Sequence, residues 1–449
     1  MPVPQPQVTP AERLARGFQP GLEGVRALAA LGVLTTHVAF QTGSVRGGFP
    51  GAVWGRLDMA VALFFALSGF LLWRPHAFAA ADDRPAPGVA RYLRHRVARI
   101  WPAYVVVVVL VLTILPAARG ASLTVWLANL SLTQVFVPLS LTAGLTQMWS
   151  LSVEVTFYLL LPIGGIMLSR LRGKHQRWRI PVLVIVGIVC LGWGTVADRL
   201  PVAAGVEPKN WLPGLLPWFI AGMLLAELCA VTEWANQTAA NQTAAWRVAA
   251  SRWVMWPAAV LMFALSCTPL AGPTGLGEVS PGQFTVKTAL GAVLGFAVLS
   301  PLVLGGAGQA GGRSLGAGQA GGRSLDTGQA GGRLRASDRF LNSAPLQALG
   351  RWSYGIFIWH LVILEAIFPA FAIVPFSGAM LLVWLLTVVV TVPVSAVSYS
   401  WIESPVRDWL RRGEASRADR LPTSSATAAA TETPSAAAAA ACNQPSQPE

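Results

Sequence analysis

Apolar residues recur in runs of about 17 to 25, each long enough to cross a hydrocarbon layer roughly 30 Å thick as a helix. Ten such runs can be read, near residues 25–43, 54–73, 101–117, 149–169, 180–197, 211–230, 253–270, 285–304, 346–368 and 378–401. The pattern predicts an all-α polytopic membrane protein of about ten transmembrane helices, with the lipid bilayer as its main partner. The spacing of polar breaks divides the chain into an N-terminal segment (1–20), a transmembrane domain (21–409) and a tail (410–449). A Gly-rich loop (305–340) lies inside the transmembrane domain.

Composition supports the reading. Mean hydropathy is +0.54, apolar residues make up 54% and charged residues only 12%, about half the share of a soluble domain. Many of the 18 Trp stand near the ends of apolar runs, where an aromatic belt would sit. The polar, Pro-containing first 20 residues do not resemble a cleavable signal. Cys190, Cys229, Cys267 and Cys442 show no paired spacing, so neither a disulfide framework nor a metal site is indicated.

Charge then orients the spans. The segments after spans two, four and eight carry Arg74, Arg84, Arg91, Arg94, Arg96 and Arg99, then Arg170, Arg172, Lys174, Arg177 and Arg179, then Arg313, Arg323, Arg333, Arg335 and Arg339. The opposite loops hold Arg46, Arg119, Arg199 and Lys209, and the last two hold no cation. The positive-inside rule therefore places both termini in the cytoplasm. The net charge of +13 is mostly this bias, and with no nucleic-acid-binding module in the chain it does not imply nucleic acid.

Two stretches fall outside the expected machinery. Residues 306–335 are three copies of a ten-residue unit, Gly-Ala-Gly-Gln-Ala-Gly-Gly-Arg-Ser-Leu twice and a decayed third, and read as a flexible cytoplasmic loop. The Ala-, Ser- and Pro-rich tail after about residue 413 reads as disordered. Asn236 and Asn241 begin formal glycosylation sequons in a loop expected to be cytoplasmic, where they have no role.

Candidate chemistry begins in the first span. Arg26 and His37 are eleven residues apart, about three helical turns, so they share a face roughly 16 Å apart. An ionisable side chain at the depth of His37 is costly and marks a functional-site candidate, here a base with a cation on the same face. The competing reading is a structural His bonded to a neighbouring helix.

Several motifs in register identify a resemblance. Arg26-x10-His37 comes first, then Leu63-Phe-Phe-Ala-Leu-Ser-Gly-Phe-Leu-Leu72 followed by Arg74. Arg96-Val-Ala-Arg99-Ile-Trp-Pro-Ala-Tyr104 opens the third span, and Trp149-Ser-Leu-Ser-Val-Glu154 with Phe157-Tyr158 opens the fourth. Leu349-Gly-Arg-Trp-Ser-Tyr-Gly-Ile-Phe-Ile-Trp-His360 and Ile402-Glu403-Ser-Pro405 complete the series. Together, over residues 20 to 409, they resemble the acyltransferase 3 family, the bacterial multi-span membrane O-acyltransferases. The chain departs from the family at Glu23 (often Asp), at Ala62 (often an acid, with Asp58 one turn earlier) and at Val155 (often Glu).

Depth along the spans places His37 about 18 Å, Glu154 about 20 Å and His360 about 16 Å from the cytoplasmic side, which suggests one site. Glu154 is expected to accept from the His37 imidazole and fix its tautomer. Each also has a bland alternative, as a polar contact between helices. Arg74 and Arg26, then Arg96 and Arg99, are the expected holders of donor phosphates, although many of the cytoplasmic arginines need only set topology.

The resemblance implies acyl-CoA, acetyl-CoA above all, as donor in the bacterial inner membrane. It implies a hydroxyl of a cell-surface glycan or glycolipid as acceptor, or alternatively a small molecule such as a macrolide. His37 is read as general base, with acylation of His37 itself as an open variant. With no esterase-like domain read after the last span, transfer is expected to finish on this chain or on a partner. A transporter or flippase is the reading from another class, but no internal symmetry of broken helices supports it. The oligomeric state is left open.

Overall fold

The computed structural model describes residues 20–46, 48–236, 244–275, 277–315 and 336–418. Every regular element among them is helical, as a chain must be where the bilayer offers no hydrogen-bond partner to the backbone. The main helices are α1 (Pro20–Gln41), α2 (Ala60–Ala81), α3 (Val89–Ile114), α4 (Met148–Met167) and α5 (Arg179–Leu191). They continue with α6 (Leu212–Asn236), α7 (Arg252–Ser266), α8 (Pro281–Leu315), α9 (Ala344–Ala370), α10 (Met380–Ser398) and α11 (Ser404–Ala418). A π-helical turn, Tyr399–Glu403, joins α10 to α11.

Eight of the ten expected spans are helices long and apolar enough to cross a membrane. The fifth and seventh are shorter. The fifth ends at Leu191, and Gly192 separates it from a single turn, Trp193–Ala197. The seventh is a 15-residue apolar helix. The third begins at Val89, twelve residues before the apolar run, so Arg96 and Arg99 stand on a helix and not in a loop. The helix α8 continues through the first copy of the Gly-rich unit to Leu315, and α11 carries helix past residue 413 to Ala418; both corrections shorten the segments expected to be irregular. The remaining repeat copies, Asn241, Cys442 and residues 1–19 lie outside the described residues.

Two close helix pairs frame the interior. The helices α2 and α6 meet at glycines: a Cβ on Gly222 would lie 1.8 Å from the Ala66 carbonyl oxygen, and one on Gly69 would lie 2.0 Å from that of Phe219. Small residues let membrane helices approach to this distance. Gly222→Val is therefore expected to force the pair apart, at or above the top of the roughly 1–3 kcal/mol range for overpacking, with a lowered melting temperature in detergent. The second pair, α1 with α9, is locked by Gly350, whose Cβ would sit 2.3 Å from the Glu23 carbonyl oxygen, and by Gln347 donating to the Pro20 carbonyl at 2.7 Å.

Candidate active site

The α1–α9 seam is parallel, and its register decides what meets across it. Glu23 faces Gly350 at one end, and fourteen residues along α1 the imidazole of His37 meets that of His360, with ring centroids 5.2 Å apart. His360 is fully buried. Its Nδ1 lies 3.0 Å from the Ile356 carbonyl oxygen. A carbonyl only accepts, so Nδ1 carries the hydrogen and Nε2 presents a lone pair. That Nε2 is buried and has no hydrogen-bond partner among the described residues. Neighbouring helices hold the seam: Trp384 Nε1 donates to Thr35 Oγ1 at 2.9 Å, and Gln147 Nε2 to the Ile358 carbonyl at 3.3 Å.

Toward the arginine-rich end, a pocket opens between α1, α2, α3, α4 and α9. Arg26, Arg99, Glu154, Tyr158, Ser68 and Tyr354 give it polar walls, and Phe64, Phe65 and Phe357 give it apolar ones. Phe357 also stands 6.0 Å from the His360 ring, so one side chain is a wall of the pocket and a neighbour of the histidine pair. Glu154 Oε1 accepts from Ser68 Oγ and from Tyr158 OH, the latter at 2.5 Å. Arg26 reaches Glu23 at 3.3 Å, and its Nε, like that of Arg96, is buried without a hydrogen-bond partner among the described residues. The Arg96 guanidinium lies 6.0 Å from the centre of the Tyr158 ring.

Of the residues singled out in the sequence, the fold brings His37 to His360, and Arg26 to Arg99 and Glu154. The expected pairing of Glu154 with His37 does not form: the carboxylate is taken by Ser68 and Tyr158, and the ring neighbour of His37 is His360. Equal depth along two spans does not fix which faces of them meet. Arg74 is buried over the Phe78 ring at 5.2 Å and does not line the pocket. Asp58, the substitute for the missing acid of the second span, instead pairs with Lys287 at 2.6 Å.

Sequence reading missed a second polar centre. Glu227 of α6, with no exposed surface, accepts from Arg179 Nε and Trp73 Nε1, each at 2.7 Å. Arg179 also donates to the Leu168 carbonyl and lies over Trp73, which stacks on His76. The signal was present, since a lone acid inside an apolar span demands a partner.

A bundle of apolar helices in which His37 meets a buried His360, beside a pocket lined by Arg26 and Arg99, makes this a polytopic membrane protein. The chain belongs to the acyltransferase 3 family: the profile described as "Acyltransferase domain" matches residues 19–400. It is 28% identical over 238 residues to the Acyltransferase MdmB of Streptomyces mycarofaciens, a match covering 48% of this chain and 58% of that one. It is 23% identical over 413 residues to the O-acetyltransferase OatA of Staphylococcus aureus, covering 87% and 57%. It is 27% identical over 199 residues to the Peptidoglycan O-acetyltransferase OatA of Listeria monocytogenes, covering 41% and 30%. The chain thus spans less than two thirds of each of these relatives. No solved structure matches it.

Proposed function

We propose that the chain is a membrane O-acyltransferase that moves an acetyl group from cytosolic acetyl-CoA to a hydroxyl of a cell-surface glycan or glycolipid. The observation that carries this reading is the His37–His360 pair, one side chain away from a pocket with two guanidinium groups. The donor's phosphates lie on Arg26 and Arg99, where the orphaned Nε groups of Arg26 and Arg96 gain acceptors, and the thioester reaches past Phe357 to the histidines. His37 takes the proton of the acceptor hydroxyl as its oxygen attacks the thioester carbon. The C–S bond breaks, and the imidazolium returns the proton to the leaving thiolate, giving free CoA and the ester. His360, whose Nδ1 hydrogen is held by the Ile356 carbonyl, offers its Nε2 lone pair beside the imidazolium. The charge bias of the loops directs the arginine pocket to the cytoplasm and leaves both termini there.

Donor binding gives the test. Arg99→Ala is expected to raise the apparent KM for acetyl-CoA about tenfold or more, the effect of losing a hydrogen bond to a charged group. Arg74→Ala, outside the pocket, is expected to change it less than about threefold. Titration of CoA onto detergent-solubilised variants checks both. Equal CoA affinity in wild type and Arg99→Ala would remove the pocket as the donor site.

A further inference from the structure

At the end of the α1–α9 seam remote from the arginine pocket, a polar and aromatic cluster is left unused by the chemistry above. Gln41 stands one turn beyond His37 and donates its Nε2 to Glu365 Oε1 at 3.0 Å. Glu365 stands five residues beyond His360 on α9, and neither side chain is fully buried. The loop joining α9 to α10 is drawn over this end. Phe376 N donates to the Gln41 carbonyl at 2.8 Å, and Gly378 N to that of Thr42 at 3.0 Å.

Those bonds set the Phe376 ring edge-on to Phe40, with centroids 5.9 Å apart, while 54% of Phe376 stays exposed. Three residues of the loop with side chains, Ala372, Phe376 and Ala379, hold positive φ angles of 51°, 62° and 60°. Non-glycine residues in that region are uncommon, and they persist where the surroundings over-determine the backbone, as at ligand clamps. Here the loop leaves Phe376 half-exposed and ties its backbone to Gln41, whose carboxamide in turn holds the Glu365 carboxylate.

We propose that Gln41, Glu365 and Phe376 form the subsite for a sugar acceptor. A pyranose ring lays its C–H face on Phe376, while Glu365 accepts from one of its hydroxyls and Gln41 donates to or accepts from the next. This leaves a further hydroxyl directed along the seam toward His37, on the side opposite the donor. The proposal rests on the transferase reading with a glycan acceptor, and adds to it the residues that hold the sugar and their place at the end of the seam remote from the donor.

The test uses purified full-length protein in detergent, radiolabelled acetyl-CoA, and a sugar panel of N-acetylmuramyl oligosaccharides and methyl glycosides as probes. Phe376→Ala and Glu365→Gln are expected to raise the half-saturating concentration of the best sugar about tenfold or more, with CoA affinity and acceptor-free acetyl-CoA hydrolysis unchanged. The exchange Gln41→Glu with Glu365→Gln keeps the carboxamide–carboxylate bond and is expected not to restore the lost affinity. Unchanged half-saturation in both single variants would overturn the subsite. Full restoration by the exchange would also do so, by making the pair a brace between helices. Wild-type turnover that no sugar in the panel stimulates would overturn it as well. Failure of the transferase reading shows separately, as wild-type protein that turns over no acetyl-CoA.

Discussion

Replacing His37 by Ala is expected to leave a protein that inserts and accumulates as wild type does but transfers acetyl groups at least about a hundredfold more slowly. Insertion follows the apolar run of α1, which the change leaves intact. Among the described residues the His37 ring makes no hydrogen bond and meets His360 by ring contact, so little packing is lost. What disappears is the group that takes the acceptor's proton, and general bases contribute about a hundredfold or more. His360→Ala is expected to slow transfer as well, since it removes the only imidazole facing His37 among the described residues. Single-turnover rates with saturating acetyl-CoA separate this loss from weakened binding. A His37→Ala protein retaining more than about a tenth of wild-type turnover would contradict the assignment.

The largest expected loss of stability lies elsewhere, at the pair Arg179–Glu227. Both side chains are at most 2% exposed, and Glu227 Oε1 holds Arg179 and Trp73 together across α5, α6 and α2. Removing one partner strands a charge in an apolar interior, at a cost of about 3–5 kcal/mol. Glu227→Ala or Arg179→Ala should therefore melt far below wild type in detergent, or fail to accumulate. Arg179→Met combined with Glu227→Leu removes both charges at similar volume and is expected to recover most of the loss. A single variant as stable as wild type would show that the pair carries no such burden.

The helical class and ten apolar segments were legible in the sequence because lipid leaves a spanning chain few alternatives to the helix. The start of α3 was not. Residues 89–100 carry four arginines and read as a loop on hydropathy, yet two of those arginines turn toward the bundle: Arg99 lines the pocket and Arg96 lies by Tyr158. A polar helix whose charges face a polar cavity has no hydropathic signature. In the site, one coordinate was readable and the other was not. Residue counting placed His37 and His360 at similar depth, and the structure sets them side by side. The same counting put Glu154 with them, but the rotation of α4 gives its carboxylate to Ser68 and Tyr158. Rotation about a helix axis is set by packing at positions such as Gly69 and Gly222, whose meaning emerges only when the facing backbone is known. Glu227 was overlooked for a simpler reason, since it is the one acid in the apolar run over 211–230 and barely lowers the hydropathy of that run.

His37 and His360 together are proposed to drive transfer from a thioester. Release of free CoA thiol from acetyl-CoA by purified protein tests it most directly, with wild type, His37→Ala and His360→Ala run side by side at equal protein and saturating donor. The account predicts steady thiol release by wild type, stimulated by a hydroxyl acceptor, and release by His37→Ala no greater than that of heat-inactivated protein. Wild-type protein that releases no thiol, or a His37→Ala protein that releases it at the wild-type rate, would contradict it.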